Sequence, residues 1–451
     1  MKPLSILVLA AGRGTRMKSA TPKVLHPVAG RPLLEHVLRA SQALGPRDIG
    51  VVLGVGRDQV KAALLERGWK KLAFIMQDQP RGSGHAVLKA RGWLKGKKGS
   101  LLVVYGDTPL LNPGTLRRLV DHQAASGNAA TFLAMDLQDP SGYGRMIMDG
   151  HGSLERIVEE KDATPEQRAV TLVNSGVACW DIEFLLQVLP KLQPNNAKRE
   201  YYLTDCVALL RELRQRVGVV QAKDVNETYG VNTRVDLARA EMVMRRRILE
   251  KWMLEGVTIV DPETTYIDAQ AVLAPDSRIW PGTLIQGDSQ IGANCDIGPY
   301  SIVESAVVKE GARVGPFARL RPGAVIEENA RVGNFVEIKK ATLGKGSKVN
   351  HLSYIGDADI GKDVNIGAGT ITCNYDGFSK FRTVIEDGVF VGSNTNLVAP
   401  VKVGRGAIIA AGSTITQDIP AHALGLGRAR QVAKEGWAKK FRDHHKRKHH
   451  A

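Results

Sequence analysis

From residue 279 to residue 415 the chain returns to an aliphatic residue every six positions. Ile279, Ile285, Ile291, Ile297 and Val303 keep the step, then Val314, Leu320, Ile326, Val332 and Ile338, and later Val391, Leu397, Val403, Ile409 and Ile415. Strict hexads predict a parallel β-helix, in which each hexad supplies one flat face and its aliphatic residue points into the prism. Small residues often follow the aliphatic one, as at Gly292, Gly298 and Gly404, and Gly or Asn at corners tolerates turning backbone. Breaks near 339–343 and 376–388 predict loops leaving the prism, where chemistry tends to sit. A solenoid of this kind needs its ends covered. The helix preceding it is expected to cover one end and the chain after residue 420 the other.

The first 230 or so residues follow another pattern. Apolar strands at Ser5–Ala10, Ile49–Gly54 and Leu101–Asp107 alternate with helical periods at Leu33–Leu44 and Gln59–Arg67. That alternation implies a parallel sheet covered on both faces. Ligands on such sheets sit at the carboxyl ends of strands, where Gly12–Arg16 and Asp107 fall. From about residue 232 to 253 the chain, with VDLARAEMVMRRRILEKWML as its pattern, contains neither Gly nor Pro and predicts one long connecting helix. The organisation expected for 451 residues is therefore 1–231, α/β; 232–253, helical linker; 254–427, β-helix; and 428–451, a basic tail.

Lys and Arg number 62 against 46 Asp and Glu, for a net charge of +16, and 428–451 alone carries nine basic residues against Glu435 and Asp443. A solvated tail with loose attraction to phosphate-bearing ligands is expected there, with no specific nucleic-acid partner. His444, His445, His449 and His450 read as adventitious metal binders only. A hydrophobic fraction of 43% is too high for a disordered chain. No apolar run approaches the roughly 18 residues of a membrane span, and the short N-terminal one runs straight into a Gly loop, which argues against a signal peptide. Cys179, Cys206, Cys295 and Cys373 are widely spaced and form no CxxC. That spacing argues against a disulfide framework or Cys-based zinc site and fits a reducing cytoplasm.

The first chemical motif is LAAGRGTRM (Leu9–Met17) with Pro22-Lys23 after it. A strand empties into a loop whose Gly12 and Gly14 let backbone N–H groups approach a phosphate, and Arg16 and Lys23 add positive charge. It is neither GxGxxG nor GxxxxGK[ST]. Together with QDQPRGSGHA (Gln77–Ala86), YGDTPL (Tyr105–Leu110), SGYGR (Ser141–Arg145), IVEEKDA (Ile157–Ala163), NSG (Asn174–Gly176), NAKREYYLTD (Asn196–Asp205) and YGVNTR (Tyr229–Arg234), it resembles the sugar-1-phosphate nucleotidylyltransferases, which have Rossmann-like domains. The resemblance implies in-line attack of a sugar phosphate on the α-phosphate of UTP, a reaction that needs positioning and charge neutralisation. It implies Mg²⁺ held by Asp107 and Asn232, with Arg16 and Lys23 acting in catalysis. Leu9, Ala10, Ala11, Gly12, Lys23 and Ser83 would touch the nucleotide or nucleotide sugar, with Gln77 and Gly82 near the uracil. Tyr105, Gly106, Gly144, Glu159, Asn174 and Asn232 would line the sugar and its phosphate. Pro80 stands where many relatives carry glutamine.

The β-helix brings ARLRPGA (Ala318–Ala324), VGNFVEIKK (Val332–Lys340), NHLSY (Asn350–Tyr354), NIGAGTITCNYDG (Asn365–Gly377) and KEGW (Lys434–Trp437). These resemble the acetyltransferase half of the bifunctional bacterial enzymes that make UDP-N-acetylglucosamine for peptidoglycan and lipopolysaccharide synthesis, and the resemblance spans nearly the whole chain. Asn350 stands where relatives often have Gly. The implied acetyl step needs a base for the amine of glucosamine-1-phosphate, and neutral imidazole suits that task. His351 is the candidate. The resemblance assigns Asn374 to the oxyanion and Arg321, Lys339, Tyr354, Asn365 and Lys380 to the sugar phosphate. It assigns Ala368, Asn374, Tyr375, Ser393, Ala411 and Arg428 to acetyl-CoA. It further implies a left-handed coil, a homotrimer with acetyl sites between neighbouring prisms, and acetylation before uridylylation. A competing reading keeps the nucleotidyltransferase and makes the β-helix a trimerisation or regulatory module.

Overall fold

The computed structural model describes residues 3–448. Two compact units divide at 248/249, inside a helix that runs from Arg234 to Leu254.

The first unit is built on a nine-stranded sheet. An interior strand, Leu4–Ala10, is buried along its whole length, as seven apolar or small residues in a row require. It pairs in parallel with Asp48–Leu53 on one side and Ser100–Tyr105 on the other. The sheet is mixed rather than parallel throughout: Leu172–Asp181 runs antiparallel to both Ser100–Tyr105 and Ala130–Asp136. A ten-residue strand reads the same in either direction, so periodicity had no means of reporting that reversal. Helices Leu33–Gln42 and Pro113–Ser126 contribute to the core on one side, and Ser83–Lys89, Ile182–Val188 and Cys206–Glu212 to that on the other. Strands Leu4–Ala10 and Ser100–Tyr105 therefore release Gly12–Met17 and Asp107 at the same sheet edge.

The second unit is a left-handed parallel β-helix. Three stacks of ten, nine and eight short strands form its faces. One stack pairs Ile279, Ile297, Val314, Val332, Val349, Ile366, Val391 and Ile409 in order, and each is at most 3% exposed. Burying such a side chain contributes roughly 1.5–3 kcal/mol. The hexads found in the sequence are thus successive faces of one prism. Of the two breaks, the first departs from expectation and the second meets it. At 339–343 nothing leaves the prism: Glu337–Lys339 turns through Lys340, at φ 46°, directly into Thr342–Leu343, using a shorter corner. At the second break residues 374–382 do leave, closed by an antiparallel bridge between Tyr375 and Lys380.

One corner of the prism repeats in register from coil to coil. Two positions past the aliphatic residues from Ile279 to Ile409 of the first stack lie Pro281, Pro299, Pro316, Asn334, His351, Ala368, Ser393 and Ala411. One position further lie Gly282, Tyr300, Phe317, Phe335, Leu352, Gly369, Asn394 and Gly412, all at positive φ. Tyr300, Phe317 and Phe335 stack in near-parallel planes at 5.4 and 5.3 Å although all three are exposed.

At the far end, Leu424–Gly425 adds a last rung on Ile408–Ile409. Residues 428–446 are exposed, including Trp437 and Phe441 of helix Trp437–Lys448, so the tail does not cover the prism as expected. Its charge explains this, because basic side chains lose hydration on packing. His449 and His450 lie outside the described residues. The four cysteines are free, and no helix among the described residues is long and apolar enough to cross a membrane.

Candidate active sites

A cleft of about 670 Å³ opens at the carboxyl edge of the first unit's sheet. Of the residues singled out from the sequence it gathers Leu9, Ala10, Ala11, Gly12, Arg16, Lys23, Gln77, Gly82, Ser83, Tyr105 and Asp107, together with Pro80. Gly14 holds φ 61°, and a Cβ there would meet that of Lys23 at 2.7 Å. A Cβ on Gly12 would meet no protein atom within 4 Å, so its smallness leaves room for a ligand. Gln77 is buried, and its amide nitrogen is engaged by the Gly82 carbonyl at 3.2 Å and His85 Nδ1 at 2.9 Å. Its carbonyl oxygen is left as an acceptor for a ligand.

The charged end of the cleft is compact. The Lys23 ammonium donates to Asp107 Oδ2 and, at 3.1 Å, to Asn232 Oδ1, which also accepts from Arg16 at 2.9 Å. Asp236, in the first turn of the long helix, fixes the Asn232 loop by accepting the N–H groups of Asn232 and Thr233. Two hard oxygens that share one ammonium suit a divalent cation that takes its remaining ligands from phosphate and water, and among the described residues no larger acidic or imidazole cluster competes. Further along, the Asn174 N–H donates to Gly144 O, and a Cβ on Gly144 would lie 3.3 Å from Glu159 Oε1. Burial pushes the Glu159 carboxyl upward and the Tyr105 hydroxyl up to about 12, so Tyr105 is a permanent donor. Gly106 donates its N–H to Leu9 O and so ties the two strand ends together.

On the β-helix the candidates fall into two groups. His351, Ala368, Ser393 and Ala411 occupy successive coils of the corner column, and Arg428 donates to Ala411 O at 2.9 Å. Around the next face and corner lie Arg321, Lys339, Tyr354, Asn374 and Lys380. Arg321 bonds Glu337 at 2.7 Å, Lys380 beside Lys339 pulls the latter's ammonium below its usual range, and Asn374 is buried with its amide N–H on Asp357. Facing ammonium groups of this kind are a ready seat for a phosphate. Tyr375 is exposed and bonds Gly377 O within the insert. Asn365 begins a strand of the first stack, between Lys348 and Phe390. The two groups meet at the corner that His351 and Tyr354 flank.

Residues 6–181 match the MobA-like NTP transferase domain, and residues 305–340 and 382–417 the bacterial transferase hexapeptide (six repeats). Bifunctional protein GlmU of Shouchella clausii is 46% identical over 96% of this chain and 98% of its own. That of Thermotoga maritima is 47% identical over 97% and 99%. The chain belongs to the GlmU family. The GlmU of Trichlorobacter lovleyi is likewise 47% identical over 97% of the chain.

Within this GlmU fold several residues went unnoticed in the sequence. Arg13 and Glu200 line the cleft, and Asn334 bonds His351 Nδ1 at 2.9 Å. Long-range hydrogen bonds leave no local periodicity, although the shared spacing of Asn334 and His351 from Val332 and Val349 would have revealed that pair. Asp205, on a 360 Å³ cavity with Arg156 and Lys191, has its carboxyl pushed up to about 6 by burial and then by Asp162. A raised carboxyl favours the protonated native state, so this group's penalty is absent below the unfolded value and complete above about pH 6. Asp205→Asn is expected to stabilise the protein at pH 8 by about 1 kcal/mol, solvent screening taking the rest of the shift. Denaturant titrations at pH 8 and pH 4 check this, the gain vanishing at the lower pH.

Proposed function

We propose that the chain makes UDP-N-acetylglucosamine in two transfers. Acetyl passes from acetyl-CoA to the amine of glucosamine-1-phosphate on the β-helix. The product's phosphate oxygen then displaces pyrophosphate from UTP in the N-terminal cleft. The observation that carries this reading is GlmU-family identity over 96% of the chain, spanning both candidate sites at once.

In the cleft, the Gly12 loop receives the phosphates and the Gln77 carbonyl oxygen accepts from the uracil. Tyr105, Glu159 and Asn174 hold the sugar. Asp107 and Asn232 would hold Mg²⁺, which when bound neutralises phosphate charge. Lys23 and Arg16, now on those same oxygens, are placed to turn to the phosphates. On the prism, Arg321, Lys339 and Lys380 seat the sugar phosphate, Tyr354 and Asn365 the sugar, and His351 removes the amine proton. Asn374 retains one amide N–H for the tetrahedral oxyanion, and Asp357 keeps it in place. The amine nitrogen bonds to the thioester carbon to give that oxyanion, which collapses with cleavage of the carbon–sulfur bond; the CoA thiolate takes back the proton held by His351 and leaves along Ala368, Ser393, Ala411 and Arg428. Trimerisation completes the acetyl site, and the exposed Tyr300–Phe317–Phe335 edge offers apolar surface for it.

Two assays on purified protein test the reading: thiol release from acetyl-CoA with glucosamine-1-phosphate, and pyrophosphate release from UTP with N-acetylglucosamine-1-phosphate. The absence of thiol release would leave the β-helix a trimerisation or regulatory module. The halves are expected to be separable. A fragment of residues 1–248 keeps Asp236 with the Asn232 loop and retains uridyl transfer alone, whereas one ending at 232 loses that support and most of its activity. Residues 233–451 retain acetyl transfer. A folded, trimeric 233–451 fragment without thiol release would defeat the claim of independence.

A further inference from the structure

His351 is the one imidazole in its corner column, and its neighbours there are uneven. Below Asn334 the column holds proline at 316, 299 and 281, whose side chains neither donate nor accept a hydrogen bond, and then Asp261, four coils away from Asn334. Above His351 it holds Ala368, Ser393 and Ala411, which are small. Asn334 is the one amide of the column, directly beneath the imidazole, and the two residues are Cα partners at the ends of adjacent parallel strands, Arg331–Asn334 and Lys348–His351. Its Oδ1 lies 2.9 Å from His351 Nδ1.

We propose that Asn334 is a positioning residue for acetyl transfer, holding His351 in the tautomer that leaves Nε2 free to take the amine proton. An amide oxygen accepts only. For Oδ1 to be bonded, Nδ1 must carry the ring proton of the neutral imidazole, and the unshared pair then resides on Nε2. The contact also fixes the ring plane, because the Asn334 backbone is locked in the coil ladder, where its carbonyl accepts the Leu352 N–H at 3.1 Å. The His351 carbonyl is likewise engaged by the Ser353 hydroxyl at 2.8 Å. Among the described residues no carboxylate pairs with His351, so the amide acts without adding charge. The choice of amide over carboxylate matters: an anion at this point would favour the imidazolium and leave the base protonated at lower pH values where the neutral ring is needed. Asn334 itself neither gains nor loses a proton. The inference rests on His351 being the base.

The test uses the full chain with steady-state thiol release across a pH series, with thermal unfolding and oligomeric state measured for every variant. Asn334→Ala is expected to lower kcat by about 10–100-fold, as loss of an orienting partner does elsewhere, with KM for glucosamine-1-phosphate within about twofold. Asn334→Asp restores the acceptor, recovers most of kcat at high pH and moves the acid limb of the profile to higher pH. Should the Ala variant fail to fold, Asn334→Ser, whose hydroxyl is too short to reach Nδ1, replaces it with the same expectation. Retention of more than half of kcat by both Ala and Ser, or an Asp variant as impaired as Ala with its acid limb unmoved, overturns the proposal. His351→Ala is run alongside: if it keeps its kcat, the base assignment has failed, and if it alone loses activity, only the role of Asn334 has.

Discussion

His351→Ala is expected to slow acetyl transfer by about 10²–10⁴-fold, the usual worth of a positioned general base. The loss falls on kcat, because the proton moves in the transition state while Arg321, Lys339 and Lys380 go on holding the sugar phosphate. Those cations lie across the corner from the imidazole and share no hydrogen bond with it. Uridyl transfer is unchanged, since its cleft is built from the first unit alone. Thiol and pyrophosphate release measured on the same preparation check both halves. A variant that loses activity only through a raised KM would make His351 a binding residue.

Asp107→Ala is expected to bring uridyl transfer to background while sparing acetyl transfer. The pair Asp107 and Asn232 contributes a single formal negative charge, and a hard dication has little affinity for what the amide alone would offer. The side chain also anchors Lys23, which without it retains only Asn232 Oδ1. Two components of charge placement are lost together. Mg²⁺ titration by calorimetry in the presence of UTP, beside pyrophosphate release, checks this. Near-normal turnover at saturating Mg²⁺ would remove Asp107 from the metal site.

The prism was legible because its period is geometric. Six residues make one face, so Ile279, Ile285 and Ile291 report three faces and Ile297 returns to the first. The same logic misread 339–343, where a corner one residue shorter breaks the count without breaking the coil. That Gly12, Arg16 and Lys23 would line a cleft was legible from residue type, since Gly, Arg and Lys after a buried strand leave few other uses. What stayed hidden was relational. The reversed strand Leu172–Asp181, the Lys23–Asp107–Asn232 triangle and the Asp357–Asn374 contact join positions whose separation follows from topology. The basic tail was legible in charge, but its failure to seat on the last coil depends on what it would have had to displace.

The corner column also sets a length. Adjacent parallel strands lie about 4.8 Å apart, so the three steps from His351 through Ala368 and Ser393 to Ala411 span roughly 14 Å along the prism axis. Arg428 grips the Ala411 carbonyl and marks the end of that interval. In the proposed acetyl site, with a proton acceptor at one end and a guanidinium at the other, this interval would measure the acyl carrier in whole coils, much as a ruler is read in whole divisions. A coil removed between 368 and 411 would leave every face packed and every rung paired while bringing the two marks a division closer. The thioester of an extended carrier would then overshoot the imidazole, and a shorter carrier would become the matching substrate.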